Sequence, residues 1–177
     1  PFKEIQLSFT KAKLPLLTKH EVVYSFTHVS KKYMLLGLYF NELIYKLIPK
    51  NEPLPSLFNL YKDQLYYMGN INISSENLLL RFEYLFLKEI GYEISLSYQN
   101  NYMLDKNKKY YYKFGHGFKE LDDNADKRTI VSGESIYNLF NNKFELINDI
   151  QKFRYIAKSI INENLGHKSI KSYDLID

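Results

Sequence analysis

Cationic side chains gather near the C-terminal end of the chain, where they could neutralise phosphate groups. Some recur on the predicted polar side of the last helix, and the others follow just past its end, among two serines. Ammonium, guanidinium and hydroxyl groups in such a place can contact a nucleic-acid backbone. The alternative is a solvated surface, because cations are also favoured near a helix C-terminus. The candidate DNA-binding residues are Lys152, Arg154, Lys158, His167, Lys168 and Lys171.

A second candidate site is a cation beside an apolar stripe on the third predicted helix. Its Arg could bind carboxylates, while the neighbouring apolar side chains could receive an aromatic ring. Such a groove suits an acidic peptide that ends in Phe. The alternative is an ordinary helix in which Arg81 and Glu83 are surrounded by the protein's own core. The candidate residues are Leu79, Arg81, Phe82, Leu85 and Lys88.

Two polar residues, Asn41 and Glu42, interrupt the first predicted helix just before apolar Leu43 and Ile44. Polar groups inside a protein are normally hydrogen-bonded. We therefore expect this pair to hold a neighbouring helix end or loop. The alternative is that the two side chains serve a site.

Residue patterns typical of enzymes are incomplete in this sequence. Gly115-His116-Gly117 lacks the Lys-Ser/Thr pair of a phosphate-binding loop. The Ser132–Ser135 stretch lacks the strand–turn–helix frame of a nucleophile elbow. There is no Cys, and the four His are scattered, so the sequence offers no zinc ligand set. We predict a non-enzymatic protein without metal or cofactor.

The net charge of +4 is unevenly distributed. Residues 1–50 carry 8 Lys and 3 acidic residues, a net +5, and residues 151–177 carry 5 basic and 3 acidic residues, a net +2. Residues 51–150 carry 11 basic and 14 acidic residues, a net −3. Basic surface favours contact with a phosphate backbone. The pattern predicts that the two ends of the chain, and not its middle, carry affinity for DNA.

The N-terminal residues follow the period of a β-strand. Apolar and polar residues alternate from Phe2 to Thr10, a turn is predicted over 11–13, and a second short strand over 14–17. Two strands alone are only marginally stable in water. We expect partner strands, which places the start of the full-length protein well before Pro1.

Beyond residue 30 the apolar period becomes helical. Apolar residues recur at intervals of three and four, and capping or stop residues such as Ser30, Ser74, Gly91 and Gly166 mark the helix ends. Residues 92–131 carry loop signals and a hairpin candidate over 110–118. The predicted helices cover about 30–47, 54–68, 75–90, 134–140 and 149–164.

Three segments, which we call the first, second and third motifs in chain order, carry a family resemblance. Residues 37–48, 80–92 and 165–172 read GLYFNELIYKLI, LRFEYLFLKEIGY and LGHKSIKS. They resemble the helical portion of the bacterial RecO family of recombination mediators, where the segments read roughly G-x-Y-x-N-E-L, R-F-E-x-x-L-L-x-x-x-G-Y and L-G-x-K-x-x-K-S. Pro1-Phe2 and residues 17–21 look like the family's last barrel strands and the exit from them.

The resemblance implies a mainly α fold in two parts. Residues 1–19 would be the C-terminal remnant of an OB-fold barrel, and residues 20–177 a helical domain with a β-like or irregular insertion around 92–131. Many relatives hold zinc through four Cys, which this chain lacks. Several carry two consecutive basic residues where this chain has Leu80-Arg81.

The resemblance also implies a non-enzymatic function. The protein would bind single-stranded DNA, anneal complementary strands and, with RecR, help to load recombinase in the cytoplasm, at the nucleoid. The acidic C-terminal tail of single-stranded-DNA-binding protein would occupy the Arg81 groove. The alternative is a helical protein- or peptide-binding module without DNA activity.

Overall fold

The chain folds into a helical domain with two small antiparallel sheets. The computed structural model describes residues 2–26, 31–70, 73–96, 104–123, 125–166 and 168–176. The predicted N-cap Ser30 and the candidate DNA ligand His167 lie outside these ranges. The strands are β1 (Lys3–Phe9), β2 (Leu17–Ser25), β3 (Lys109–Lys113), β4 (Gly117–Glu120) and β5 (Ile130–Ser132), and the helices are α1 (Lys31–Leu47), α2 (Pro55–Asn70), α3 (Ser75–Glu89), α4 (Gly133–Phe140), α5 (Ile150–Leu165) and α6 (Tyr173–Ile176).

Strands β1 and β2 form an antiparallel hairpin that begins the chain. Their register runs from Lys3 opposite Ser25 to Phe9 opposite Leu17. The prediction of a second strand over 14–17 is wrong, because the chain is still turning at Leu14 and β2 extends from Leu17 to Ser25. The hairpin therefore continues past residue 19. Membership of an OB-fold remains a prediction.

Aromatic and aliphatic side chains from α1, α3 and α5 build the main core. Phe40 stacks on Phe82 with ring centroids 3.9 Å apart, and Phe82 stacks on Phe86 at 5.6 Å. Phe153 of α5 is fully buried in the same cluster. The stripes of apolar residues predicted on these helices are confirmed, since burial of one face is what fixes an amphipathic helix in place.

Local signals set the ends of α3 as predicted. The Ser74 side chain accepts a hydrogen bond from the backbone N–H of Asn77 at 3.1 Å. At the other end Gly91 has φ +86°, which returns the Tyr92 N–H to the Leu87 carbonyl at 2.8 Å. Glycine suits this position because other residues are strained at positive φ.

The region predicted as β-like or irregular contains a three-stranded sheet in the order β4–β3–β5. The predicted hairpin over 110–118 is confirmed, with Tyr112 opposite Phe118 and Lys113 opposite Gly117. Tyr110 and Tyr112 join the core. The sheet leads into α4, whose predicted N-cap Ser132 accepts from the Ser135 N–H at 3.2 Å.

Candidate functional site

The second motif contributes Glu83 to an ionic cluster inside the core. Glu83 of α3 is fully buried, and Arg154 of α5 is only 5% exposed. Arg154 Nε lies 3.4 Å from Glu83 Oε2, and the Tyr39 hydroxyl donates to Glu83 Oε1 at 2.8 Å. Burial raises the pKa of the Glu83 carboxyl, while Arg154 and Tyr39 oppose that rise.

This cluster corrects the prediction for Arg154. The residue does not lie on the polar face of α5 with the candidate DNA ligands, because its guanidinium neutralises a buried carboxylate. A signal for this was present in the sequence. Arg154, Ala157 and Ile161 are spaced i, i+3 and i+7, which places Arg154 on the apolar stripe of the helix.

Glu42 of the first motif binds the third motif. Its carboxylate accepts from the Lys171 N–H at 2.9 Å, the Ser172 N–H at 2.9 Å and the Ser172 hydroxyl at 2.6 Å. Lys46 Nζ lies 2.6 Å from Glu42 Oε1 and also donates to the Ser169 carbonyl. The structural role predicted for Glu42 is confirmed.

The electrostatics of Glu42 match this role. Desolvation alone would raise its pKa, but hydrogen bonds from Lys46, Ser172 and Lys171 lower the pKa from 4.5 to about 2. The carboxylate is therefore ionised at neutral pH and holds residues 168–173, which we call the C-terminal segment, on α1. Ile170 and Ser172 of that segment are buried.

Gly37, the first residue of the first motif, packs against Phe2, the residue just before β1. A Cβ at position 37 would lie 2.6 Å from Phe2 Cζ, so the Phe2 ring would have to move to admit it. The Phe2 ring is buried against the helices. An ion pair between Lys62 Nζ and Glu4 Oε2 at 2.8 Å adds a second contact between the hairpin and α2.

Three of the candidate DNA ligands gather around the C-terminal segment. Lys168 Nζ donates to the Lys46 carbonyl at 2.9 Å, and Lys158 Nζ lies 4.9 Å from the centroid of the Tyr173 ring. The Lys171 backbone N–H is bound to Glu42, while the residue as a whole is exposed. Lys152 lies about 9 Å further toward the start of α5, where its Nζ is 3.2 Å from Asp149 Oδ1.

The candidate peptide site divides between surface and core. Leu79 and Phe82 belong to the core, with 2% and 0% of their surfaces exposed, so neither can form the wall of an open groove as predicted. Arg81, Leu85 and Lys88 share one face of α3, because they are spaced i, i+4 and i+7. We call these three residues the α3 strip.

Arg81 is the central residue of the α3 strip. Its guanidinium carbon lies 4.5 Å from the centroid of the Tyr67 ring on α2, and its Nη1 is buried with no hydrogen-bond partner among the described residues. Burial lowers the pKa of Arg81, whereas Tyr67, Asp63 and Glu145 raise it. Tyr67 is a part of this arrangement that the sequence analysis did not identify.

Two adjoining cavities of about 580 and 350 Å³ lie near the C-terminal ends of α1, α3 and α5. The carboxylates around them and the helix C-termini favour positive charge. The two cavities are therefore unsuited to binding phosphate. The residues common to both cavities are Gly91, Tyr92 and Asn164, and the surrounding carboxylates are Glu52, Glu89, Glu93 and Glu163.

Within the described ranges, no three His, Cys, Asp or Glu side chains are grouped so that they could hold a metal ion. None of the described helices combines the length and apolarity needed to cross a membrane.

The fold and these contacts define a helical domain whose motif residues join its parts together. Residues 32–173 match the family model described as "Recombination protein O C terminal", and the chain belongs to this family. The predicted family is thereby confirmed.

Several curated relatives bear the name "DNA repair protein RecO". The protein from Coxiella burnetii (strain RSA 331) is 28% identical over 147 residues, which cover 81% of this chain and 62% of that protein. The protein from Aromatoleum aromaticum is 27% identical, over 78% of this chain and 58% of that protein. The protein from Pseudoalteromonas translucida is 25% identical, over 99% and 75%. The chain thus spans about 60% of the length of the first two relatives.

Proposed function

We propose that this chain acts in DNA repair as a mediator that binds single-stranded DNA and promotes annealing of complementary strands. With RecR it would help to load recombinase onto DNA covered by single-stranded-DNA-binding protein, at the nucleoid. The observation that carries the proposal is the family match over residues 32–173. The name of the relatives, which refers to DNA repair, points the same way.

The chemistry of the described residues supports a role without catalysis. The buried titratable groups Glu83, Arg154 and Tyr39 satisfy one another inside the core. Annealing requires neutralisation of two phosphate backbones and no covalent step. Lysines at the surface can provide that neutralisation, and the cluster of half-buried Lys158 with exposed Lys168 and Lys171 is one such group.

The salt dependence of DNA binding tests this function. We expect an oligothymidine strand to bind with an affinity that falls steeply as salt concentration rises, because bound lysines release counterions from phosphates. Lys158→Ala/Lys168→Ala/Lys171→Ala should reduce the slope of log K against log salt by roughly 2 units, at about 0.7 per phosphate contact. No binding by the folded wild-type chain would refute the proposal.

The α3 strip is the proposed site for the acidic, Phe-terminated tail of single-stranded-DNA-binding protein. Arg81 is a half-buried cation, and Leu85 is its partly buried apolar neighbour. Loss of a charge-assisted hydrogen bond costs about 1.5–3 kcal/mol. Arg81→Ala should therefore weaken binding of a tail peptide by roughly ten- to a hundredfold.

The matched control for the peptide titration is Lys50→Ala, which removes one exposed cation outside α3. Equal affinities of the wild type, the control and Arg81→Ala would exclude Arg81 from the site. Peptide binding by a chain that binds no DNA would favour the alternative function, a peptide-binding module.

A further inference from the structure

The three-stranded sheet carries a local excess of positive charge, although residues 51–150 as a whole have a net negative charge. Residues 51–150 carry 11 basic and 14 acidic residues. Between Lys106 and Lys119, however, five lysines occur without a single carboxylate. The nearest acidic residues along the chain are Asp105 and Glu120, at the two ends of this stretch.

Strand alternation places three of these lysines on one face of the sheet. Tyr110 and Tyr112 of β3 point into the core, so Lys109 and Lys113 lie on the opposite face, and both are exposed. On β4, Lys119 stands opposite Tyr111 in the register and thus shares that face. We call the face defined by Lys109, Lys113 and Lys119 the outer face of the sheet.

Two carboxylates near the outer face each have a described partner. Glu120 Oε1 lies 2.8 Å from Lys108 Nζ. Asp122 Oδ2 accepts a hydrogen bond from the Tyr111 hydroxyl at 2.8 Å. Within the described residues, no ion pair joins Lys109 or Lys113 to a carboxylate, so their charges face solvent.

Hydrogen bonds connect the outer face to α5. Lys109 pairs in register with Ser132 of β5. The Ser132 N–H and hydroxyl each donate to Asp149 Oδ2 at 3.0 Å, and Asp149 Oδ1 lies 3.2 Å from Lys152 Nζ. Lys152, which stands apart from the C-terminal lysine cluster, is therefore linked through Asp149 to the strand residue that pairs with Lys109.

We propose that the outer face of the sheet, extended by Lys152, binds the phosphate backbone of single-stranded DNA. The inference rests on the proposed function and adds a contact surface in the middle of the chain, where the net charge of the sequence predicts none. Lys109 and Lys113 are about 13 Å apart along an extended strand. The outer face can thus contact more than one phosphate, and we expect affinity without base preference.

The test compares two triple variants that remove equal charge. Lys109→Ala/Lys113→Ala/Lys119→Ala alters the outer face, and Lys50→Ala/Lys127→Ala/Lys143→Ala is the control, at exposed lysines outside the proposed sites. Fluorescence anisotropy with labelled oligothymidine is measured across a salt series. We expect the outer-face variant to bind about tenfold more weakly and its salt slope to fall by roughly 2 units. The control should keep the wild-type slope.

A second measurement needs no variant. Acetylation of lysines in the wild-type chain, mapped with and without oligothymidine, should show protection of Lys109 and Lys113 and none of Lys50. If the wild type binds DNA but the two triple variants behave alike, or if these lysines are not protected, this inference is overturned and the proposed function stands. If the wild type binds no DNA, both fail.

Discussion

At the scale of single residues, Arg154 illustrates a charge that serves stability. Its guanidinium is buried against Glu83, and removal of one partner of a buried ion pair leaves the other charge without compensation. We expect Arg154→Met to reduce the free energy of unfolding by about 3–5 kcal/mol. Urea denaturation followed by circular dichroism measures the change.

The double variant Glu83→Gln/Arg154→Met provides the control. It removes both charges and keeps an acceptor for Tyr39, so we expect much of the lost stability to return. A single variant as stable as the wild type would contradict the assignment of Arg154 to the core.

Glu42 gives the domain a pH dependence. Because its folded-state pKa of about 2 is below the ordinary value of 4.5, its contribution to stability is complete well above pH 4.5 and is lost as pH falls toward 2. We expect Glu42→Gln to lower the free energy of unfolding at pH 7 by about 1.5–3 kcal/mol, the value of hydrogen bonds to a charged group.

Urea unfolding at pH 7 and pH 3 tests the sign of this effect. The difference between wild type and Glu42→Gln should shrink at pH 3, whereas Glu89→Gln, on exposed helix surface, should differ little from wild type at pH 7. A difference that grows toward acid would contradict the proposed linkage.

Single residues also show which buried positions and contacts could be predicted from the sequence. Helical periodicity identified the buried stripes of α1, α3 and α5, because burial of one helix face dominates the pattern. Periodicity did not show that Phe82 is buried while Arg81 is partly exposed, because neighbouring residues differ by only about 100° around the helix axis. The partner of Arg154 lies 71 positions away in the chain. Tertiary packing selects such a partner, and local spacing does not.

At the scale of elements, Gly37 and Phe2 determine how the hairpin meets α1. An Ala at position 37 would collide with the Phe2 ring, although Ala is intrinsically better than Gly in a helix by about 0.5–1 kcal/mol. We therefore expect Gly37→Ala to increase proteolytic cleavage of the hairpin. In a Phe2→Ala background the same change should stabilise the chain by about that amount.

Thermal unfolding and limited proteolysis of the two single variants and the double variant complete this cycle. Stabilisation by Gly37→Ala in both backgrounds would show that Phe2 does not occupy the surface of Gly37.

The two sheets differ in how well local sequence predicts them. Alternation identified β1, but β2 extends further than predicted because Leu17–Ser25 mixes apolar and polar residues on exposed strands. In the second sheet the hairpin was predictable from residues 110–118. The strand β5 was not, since three residues, Ile130–Ser132, carry too short a pattern and depend on pairing with β3.

At the scale of the whole molecule, the charge distribution follows the fold and not the order of the sequence. The outer face of the sheet lies in the region with a net negative charge, and the carboxylates of that region lie partly around the cavities at the helix C-termini. Net charge by segment could not reveal this separation, because strand pairing determines which side chains share a surface.

The α3 strip and helix α5 lie on different sides of α3. Arg81 and Glu83 are two positions apart, about 200° around the helix, and Glu83 faces α5 while Arg81 faces Tyr67 of α2. We therefore expect the acidic tail peptide and single-stranded DNA to bind independently. Saturating tail peptide should leave the affinity for oligothymidine unchanged, and Arg81→Ala should do the same.

Anisotropy titrations of labelled oligothymidine, with and without the peptide, measure this independence. Lys158→Ala/Lys168→Ala/Lys171→Ala provides the reciprocal control, since it should weaken DNA binding and leave the affinity for the peptide intact. Binding of one ligand that excludes the other would show that both use one surface, because two acidic ligands compete wherever their cations are shared. That result would move the peptide site from α3 to the lysines of α5 and the C-terminal segment.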